Sequence, residues 1–287
     1  GALHFAGVED QYFLVALLPA GQDGEAVVTA AQGVVLPWQE GGVSGTLFAG
    51  AKEHQTLKGY GRGLEQTISF GLFGVLSVAF LAALRWIHSW AANWGVAIIV
   101  LTAAIRVLLF PLTHKSTVAM RRMQVLQPKM KAIQDRYKER AKRDPQVRQR
   151  MNQEVMQLYK AEGVNPMGGC LPTLVQLPIL WALYTLFAYA IELRHAPFVL
   201  WIHDLSAKDP TYVTPILMTA SMVLQQHLAP QTGDPAQRRM FMMLPFVFGL
   251  MFMNFPAGLV LYWLVNNILT IGQQIVTNKL LSRAPQG

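Results

Sequence analysis

Of 287 residues only one, Cys170, is a cysteine. No disulfide can form within the chain, and that thiol alone cannot build a metal site. Charge is also scarce. Asp, Glu, Lys and Arg make up 14% of the residues and hydrophobic ones 52%, whereas a soluble domain carries about 25% charged residues. That deficit excludes an ordinary soluble domain and points to a membrane protein. The sequence has no glycine-rich phosphate loop, no metal-ligand pair and no nucleophile beside a base. No cofactor and no metal are expected, and an enzyme is disfavoured. The opening residues do not read as a cleavable signal peptide. They begin abruptly inside what reads as a larger domain, so the chain is expected to be the later part of a longer protein whose first anchor precedes Gly1.

Residues 1–58 differ from the rest. "YFLVALLP" and "EAVVTAAQGVVLP" are short strand-like runs bounded by Gly, Pro and Asp, as at the edge of a β-domain. "GVSG" at Gly42–Gly45 matches a short motif of intramembrane serine proteases, but Ser44 lies in a Gly-rich turn rather than an apolar helix, which argues against that chemistry. Residues 59–92 form a linker and one apolar run, Phe70–Leu84. Its 15 residues reach only about 22 Å, short of a ~30 Å hydrocarbon core. "RWIHSW" follows, with interface-type tryptophans. An interfacial helix is favoured over a short span.

Five longer spans follow between 93 and 281: Trp94–Leu112, Cys170–Tyr189, Tyr212–Leu228, Met240–Phe255 and Leu259–Val276. The last two are separated only by the tight turn "FPAG". Prolines 111, 172, 178, 215 and 245 are expected to kink these helices. From His114 to Glu162 there are 13 Lys/Arg against 5 Asp/Glu, so this stretch alone accounts for the net charge of +8. Cations favour the cytoplasmic side. Segment 114–163, the short loop 229–239 and the tail 282–287 are therefore placed inside. "ELRHAPFVLWIHDLSAKDP" has two Lys/Arg against three acids and falls outside, as do the N-terminal residues.

The basic segment reads as a helical hairpin. Met123, Leu126, Met130, Ile133 and Tyr137 make one apolar stripe, with a kink or restart at Pro128. Asp144-Pro145 is an N-cap with proline at the first helical position. Val147, Met151, Val155, Leu158 and Glu162 form the second stripe, ended by Gly163. The charge has three readings: a solvated face that sets orientation and touches anionic phospholipids, a docking surface for a cytosolic partner, or a non-specific contact with ribosomal RNA. Arg121, Arg122, Lys129, Lys131, Arg140, Lys142 and Arg143 are the candidates for partner contact. Few aromatics interleave with them, so no specific nucleic-acid sequence is read.

Arg106 is the one ionisable residue well inside the five spans. It lies about seven residues, roughly 10 Å, from the inner end at Thr113. An uncompensated charge there costs at least ~2.5–3.5 kcal/mol. Helical side chains lean toward the N-terminus, which works against snorkelling to the near surface. Either lipid phosphate or helix carbonyls hold the guanidinium, or it faces a hydrated cavity open toward the cytoplasm. Thr102, Gln176, Gln225, Gln226, Asn266, Asn267, Gln273 and Gln274 can line such a cavity, or serve as plain interhelical partners. The spans hold no carboxylate of the kind that proton pumps and cation channels use. A small-solute channel or transporter is thus the weaker alternative, and an assembly factor for membrane complexes would use the same groove.

"NWGVAIIVLTAAIRVLLFPLTHKS", "LQPKMKAIQDRY", "LYKAEGVNPMGGCLPTLVQLPILWALY", "ELRHAPFVLWIHDLSAKDP" and "FPAGLVLYWLVNN" resemble, in order and spacing, the YidC/Oxa/Alb membrane protein insertases of the Gram-negative type. The likeness covers about Gly59 to Leu281, and residues 1–58 resemble the end of a periplasmic domain. The resemblance implies a mainly α, polytopic inner-membrane protein. Five transmembrane helices surround a hydrophilic groove, with a cytoplasmic helical hairpin, an interfacial periplasmic helix and a small β remnant. It implies that Arg106, with Thr102 one turn away and Gln176 nearby, receives hydrophilic parts of nascent membrane proteins. Leu177, Pro178, Tyr262 and Trp263 would meet the client's apolar segment, ordinary packing being the alternative for each. The implied partners are nascent membrane proteins, the Sec translocon, ribosome and signal recognition particle components, and phospholipids.

Overall fold

The computed structural model describes residues 5–19, 27–29, 33–35, 45–60, 62–141, 144–169, 171–229 and 235–283. Ser44, Lys142, Arg143 and Cys170 lie outside them. The described chain is mainly helical with a small β-region, and it clusters into two compact units.

The first unit comprises Gly1–Ala97, Trp181–Lys208 and Pro256–Gly258. The expected boundary at residue 58 falls inside a helix of this unit, α1, His54–Tyr60. Its sheet has the order β1 (Ala6–Glu9), β2 (Phe13–Pro19), β5 (Gly45–Ala51), all antiparallel, with Leu14 opposite Gly50. β3 (Val27–Thr29) and β4 (Gly33–Val35) form a separate pair. Alternation along β2 buries Leu14, Ala16 and Leu18 and exposes Phe13 and Val15, the period-2 pattern of a half-buried strand. β1 and β5, "AGVE" and "GTLFAGA", were not anticipated because they are too glycine- and alanine-rich to announce a strand.

Helix α2 runs Gly74–Ala91. At 18 residues it is about 27 Å long, and with the preceding turn it is long and apolar enough to cross a bilayer. The length argument against a span therefore fails: the apolar run undercounts the helix, which continues through Arg85 to Ala91. Its two faces are distinct. Ser77, Leu81, Leu84 and Ile87 are buried, whereas Val75, Trp86 and Trp90 are well exposed. On the buried side the Ser77 hydroxyl donates to the Ala182 carbonyl at 3.0 Å, and Arg85 pairs with Glu192 and Glu53. The β1–β2 turn is fastened in the same unit. Gln11 donates to the Ala188 carbonyl at 2.7 Å, and the Arg194 guanidinium lies 4.8 Å over the Tyr12 ring.

The second unit comprises Ile98–Leu180, Asp209–Phe255 and Leu259–Gly287. It contains most of α3 (Trp94–Ala141), all of α4 (Pro145–Ala161), part of α5 (Leu171–Tyr189), α6 (Val213–Leu228), α7 (Pro235–Phe252) and nearly all of α8 (Ala257–Arg283). By length and composition α3 and α8 can each cross a bilayer, and the apolar parts of α5 and α7 are shorter. The expected first span and the first hairpin helix are one 48-residue helix with Pro111 and Pro128 inside it. No restart occurs at Pro128. That residue is exposed, so the carbonyl that loses its N–H partner there can turn to water. Asp144 caps α4 by accepting from the Gln146 amide, and Gly163 follows it at φ 64°, as the sequence reading expects.

The hairpin core differs by one residue from the expected stripe. Tyr159, not Leu158, is buried, against Leu126 and Val164, with Met123, Met130 and Val155 around them. The Tyr159 ring adds apolar area while its hydroxyl reaches the Met130 sulfur, which Leu158 could not do.

Candidate functional site

The polar contacts of the second unit converge on α8. Arg106 of α3 donates from Nη2 to the Asn266 carbonyl at 3.2 Å. Gln273 donates to the Thr113 hydroxyl at 2.9 Å. Both pairs are 160 residues apart, so α3 and α8 run parallel and touch at two levels separated by two helical turns, about 10 Å. From α5, Gln176 Nε2 donates to the Tyr262 hydroxyl at 2.6 Å. From α6, Ser221 Oγ accepts from Asn267 Nδ2 at 3.0 Å. From α7, the Phe248 and Phe252 rings lie 6.2 and 5.4 Å from Trp263. Asn266 and Asn267 are buried. One helix thus presents amides to α3 and α6 and aromatic rings to α5 and α7.

Arg106 is held by a helix carbonyl, one of the alternatives open at the sequence level. That bond uses one of its five N–H donors, and its Nε is buried without a partner. No ion pair between it and a carboxylate occurs among the described residues. His114 Nδ1, Trp263 Nε1 and Gln274 Oε1 are likewise buried and unpartnered. Each such atom costs about 1–3 kcal/mol if nothing satisfies it. These four atoms lie on α3 and α8, the helices that the Arg106 and Gln273 bonds join.

The expected site residues are treated unequally. Thr102 is 1% exposed, and its hydroxyl donates to the Ile98 carbonyl of its own helix at 2.6 Å. Tyr262 is 1% exposed, and its hydroxyl accepts from Gln176. Trp263 is half-buried among the α7 rings. Leu177 is exposed, as are Leu171 and Leu174 on the same helix, and Pro178 is half-buried inside it. Thr113, Ser221 and Thr270, whose hydroxyl donates to the Asn266 carbonyl at 2.6 Å, were missed. Thr113 lies seven residues from Arg106, which is a readable signal. Ser221 had none, because its partner is on another helix.

In the hairpin, Arg122, Lys131 and Arg140 are exposed. Lys129 is engaged with Glu162 at 2.5 Å, and Arg136 with Glu154 at 3.2 Å. Arg121 is half-buried and engaged. Part of the positive charge therefore stitches the hairpin together. No cluster able to hold a metal ion occurs among the described residues.

Residues 86–284 match the family described as 60Kd inner membrane protein, and residues 1–83 match the YidC periplasmic domain. A membrane protein insertase YidC of Geotalea daltonii is 52% identical over 245 residues, which cover 85% of this chain and 45% of that protein. The one from Geobacter sulfurreducens is 44% identical over 293 residues, covering 98% and 54%. The chain therefore spans about half the length of the curated relatives it matches. Among solved structures it is similar to an active YidC insertase crystal structure with the first transmembrane domain resolved, at 23% identity and a TM-score of 0.59. That match covers 91% of this chain and 60% of the other.

Proposed function

The chain belongs to the 60Kd inner membrane protein family, and from that premise we propose that it inserts nascent membrane proteins into the bilayer. The observation that carries the reading is Arg106, a guanidinium within an apolar helix, bonded to a carbonyl and in no ion pair with a carboxylate among the described residues. A permanent counter-ion would close such a site. A carbonyl leaves the positive charge available to an anion that comes and goes.

In the proposed mechanism a client's polar tail or loop enters the hydrated groove from the cytoplasm and pairs with Arg106. Gln176, Asn266 and Gln273 solvate its peptide groups, which in bare hydrocarbon would cost several kcal/mol each. The client's apolar segment moves into lipid past the exposed leucines of α5 and past α8. Apolar burial and the membrane potential acting on an acidic tail supply the drive, so no nucleotide is consumed. The hairpin faces the cytoplasm and offers Arg122, Lys131 and Arg140 to the ribosome, to signal recognition particle components or to anionic lipid. Helix α2 lies at the outer surface with Val75, Trp86 and Trp90 in lipid. The Sec translocon is a partner for clients with long outer domains.

The test is insertion of a client with an acidic N-tail into proteoliposomes. A charge-assisted hydrogen bond is worth about 1.5–3 kcal/mol, so Arg106→Ala should slow insertion by roughly tenfold or more, with Arg106→Lys in between. An Arg106→Ala protein that inserts such clients at the unmodified rate would refute the role.

A further inference from the structure

Between α1 and α2 of the first unit lies a pocket of about 450 Å³, within the range of small-ligand sites. Its wall is divided by chemistry. From α1 come His54, Gln55, Lys58 and Gly59, and from α2 come Val78, Ala82 and Arg85. No carboxylate lines it. Lys58 is exposed, and no ion pair among the described residues uses it. Arg85 is held by Glu192 and Glu53 through Nη2, which fixes the guanidinium at the pocket wall. Glu53 and Glu192 offset the Arg85 charge, so Lys58 is the cation of the wall that no ion pair among the described residues uses. Burial first, then Arg85 and Lys58, outweigh Glu65 and Glu192 and hold His54 below its usual range, so the imidazole is neutral at pH 7.

The apolar part of the pocket is continuous with the exposed stripe of α2. Ala82 belongs to both, standing between Val75 and Ala79 on one side and Trp86 and Trp90 on the other. The two indoles meet edge to face at 6.2 Å, side chains suited to the membrane interface. A ligand in this pocket therefore has a cation and amide at one end and an open apolar path at the other.

We propose that this pocket binds the phosphate-bearing headgroup of an anionic phospholipid. The phosphate sits at Lys58 and Arg85, the headgroup hydroxyls at Gln55 and His54, and the acyl chains run along the Ala82 side of α2. The proposal rests on α2 meeting lipid, and it is independent of what Arg106 does.

The experiment places the full chain in nanodiscs containing phosphatidylglycerol with a photoreactive headgroup, and maps crosslinked peptides. Two variants test the pocket. Lys58→Gln removes the free cation. Gly59→Trp places a bulky side chain on a lining position where a Cβ meets no neighbour within 4 Å, and is meant to obstruct the pocket. Crosslinks to His54–Tyr60 or α2 should fall at least fivefold in each variant, with helicity and elution unchanged. A phosphatidylcholine probe should capture several-fold less. Equal capture in all three proteins, or equal capture of both lipids, overturns the proposal. Displacement by soluble glycerol phosphate would assign the site to a free phosphate ester and also overturn the lipid reading.

Discussion

Asp209 shows how one side chain fixes the entry to a helix. It is 1% exposed and accepts four hydrogen bonds of 2.6–2.8 Å from the amides and hydroxyls of Thr211 and Thr214. Burial pushes its carboxyl up, but the four donors from Thr214 and Thr211 more than offset this and hold it down to about 2. The folded value lies below the unfolded one, near 3.9. The carboxylate's stabilisation is therefore full above about pH 4 and is lost as pH falls through 2, and it amounts to ~2 kcal/mol. Thermal unfolding in detergent should find Asp209→Ala less stable than the parent at pH 7, with the gap narrowing between pH 4 and pH 2. A gap that does not change with pH would show that the ionised carboxylate is not the cause.

At the scale of elements, α6 and α7 approach closely because one residue has no side chain. A Cβ on Gly249 would lie 2.3 Å from Thr219 Oγ1 and 3.3 Å from its Cβ. Thr219 has little freedom to yield, since its hydroxyl donates to the Pro215 carbonyl at 2.8 Å and β-branching stiffens its χ1. Gly249→Ala should therefore destabilise by about 1–3 kcal/mol, measured by denaturation in detergent. Thr219→Ala should recover part of that loss when combined with it, which a double-mutant cycle reads directly. Strictly additive losses would mean that the two helices are not limited by this contact. The hairpin gives the opposite lesson. Its core is set by large residues, and Tyr159 displaces Leu158 from the buried position because a ring can fill the space beside Met130.

For the whole molecule, the proposed orientation rests on where the +8 lies. A short basic segment beside a span stays in the cytoplasm. In a background with Cys170 replaced by Ser, a cysteine placed at Gln153 should react with a membrane-impermeant thiol reagent only in inside-out vesicles. One placed at Lys208 should react only from the outer side. Labelling of both from one side would overturn the five-span orientation. The same vesicles separate the insertase from the channel. An insertase moves client protein without carrying small solutes, so fluorescent dye retention should match that of protein-free liposomes.

Local chemistry was enough to place the apolar helices, the Asp144 cap, the Gly163 stop and the lone intramembrane arginine. Hydropathy, capping and charge are properties of a residue and its near neighbours, and they survive without knowledge of the fold. The partner of Arg106 was not legible in this way. Its choice of the Asn266 carbonyl depends on two helices set parallel at an offset of 160 residues, which no local pattern encodes. The same holds for Tyr262, whose hydroxyl is bound by Gln176 of another helix. Sequence alone determined that a charge would lie inside the membrane without an acid of its own. Only tertiary packing decided that a carbonyl would hold it and leave part of the guanidinium unpartnered, because that outcome depends on the close approach of segments far apart in the chain.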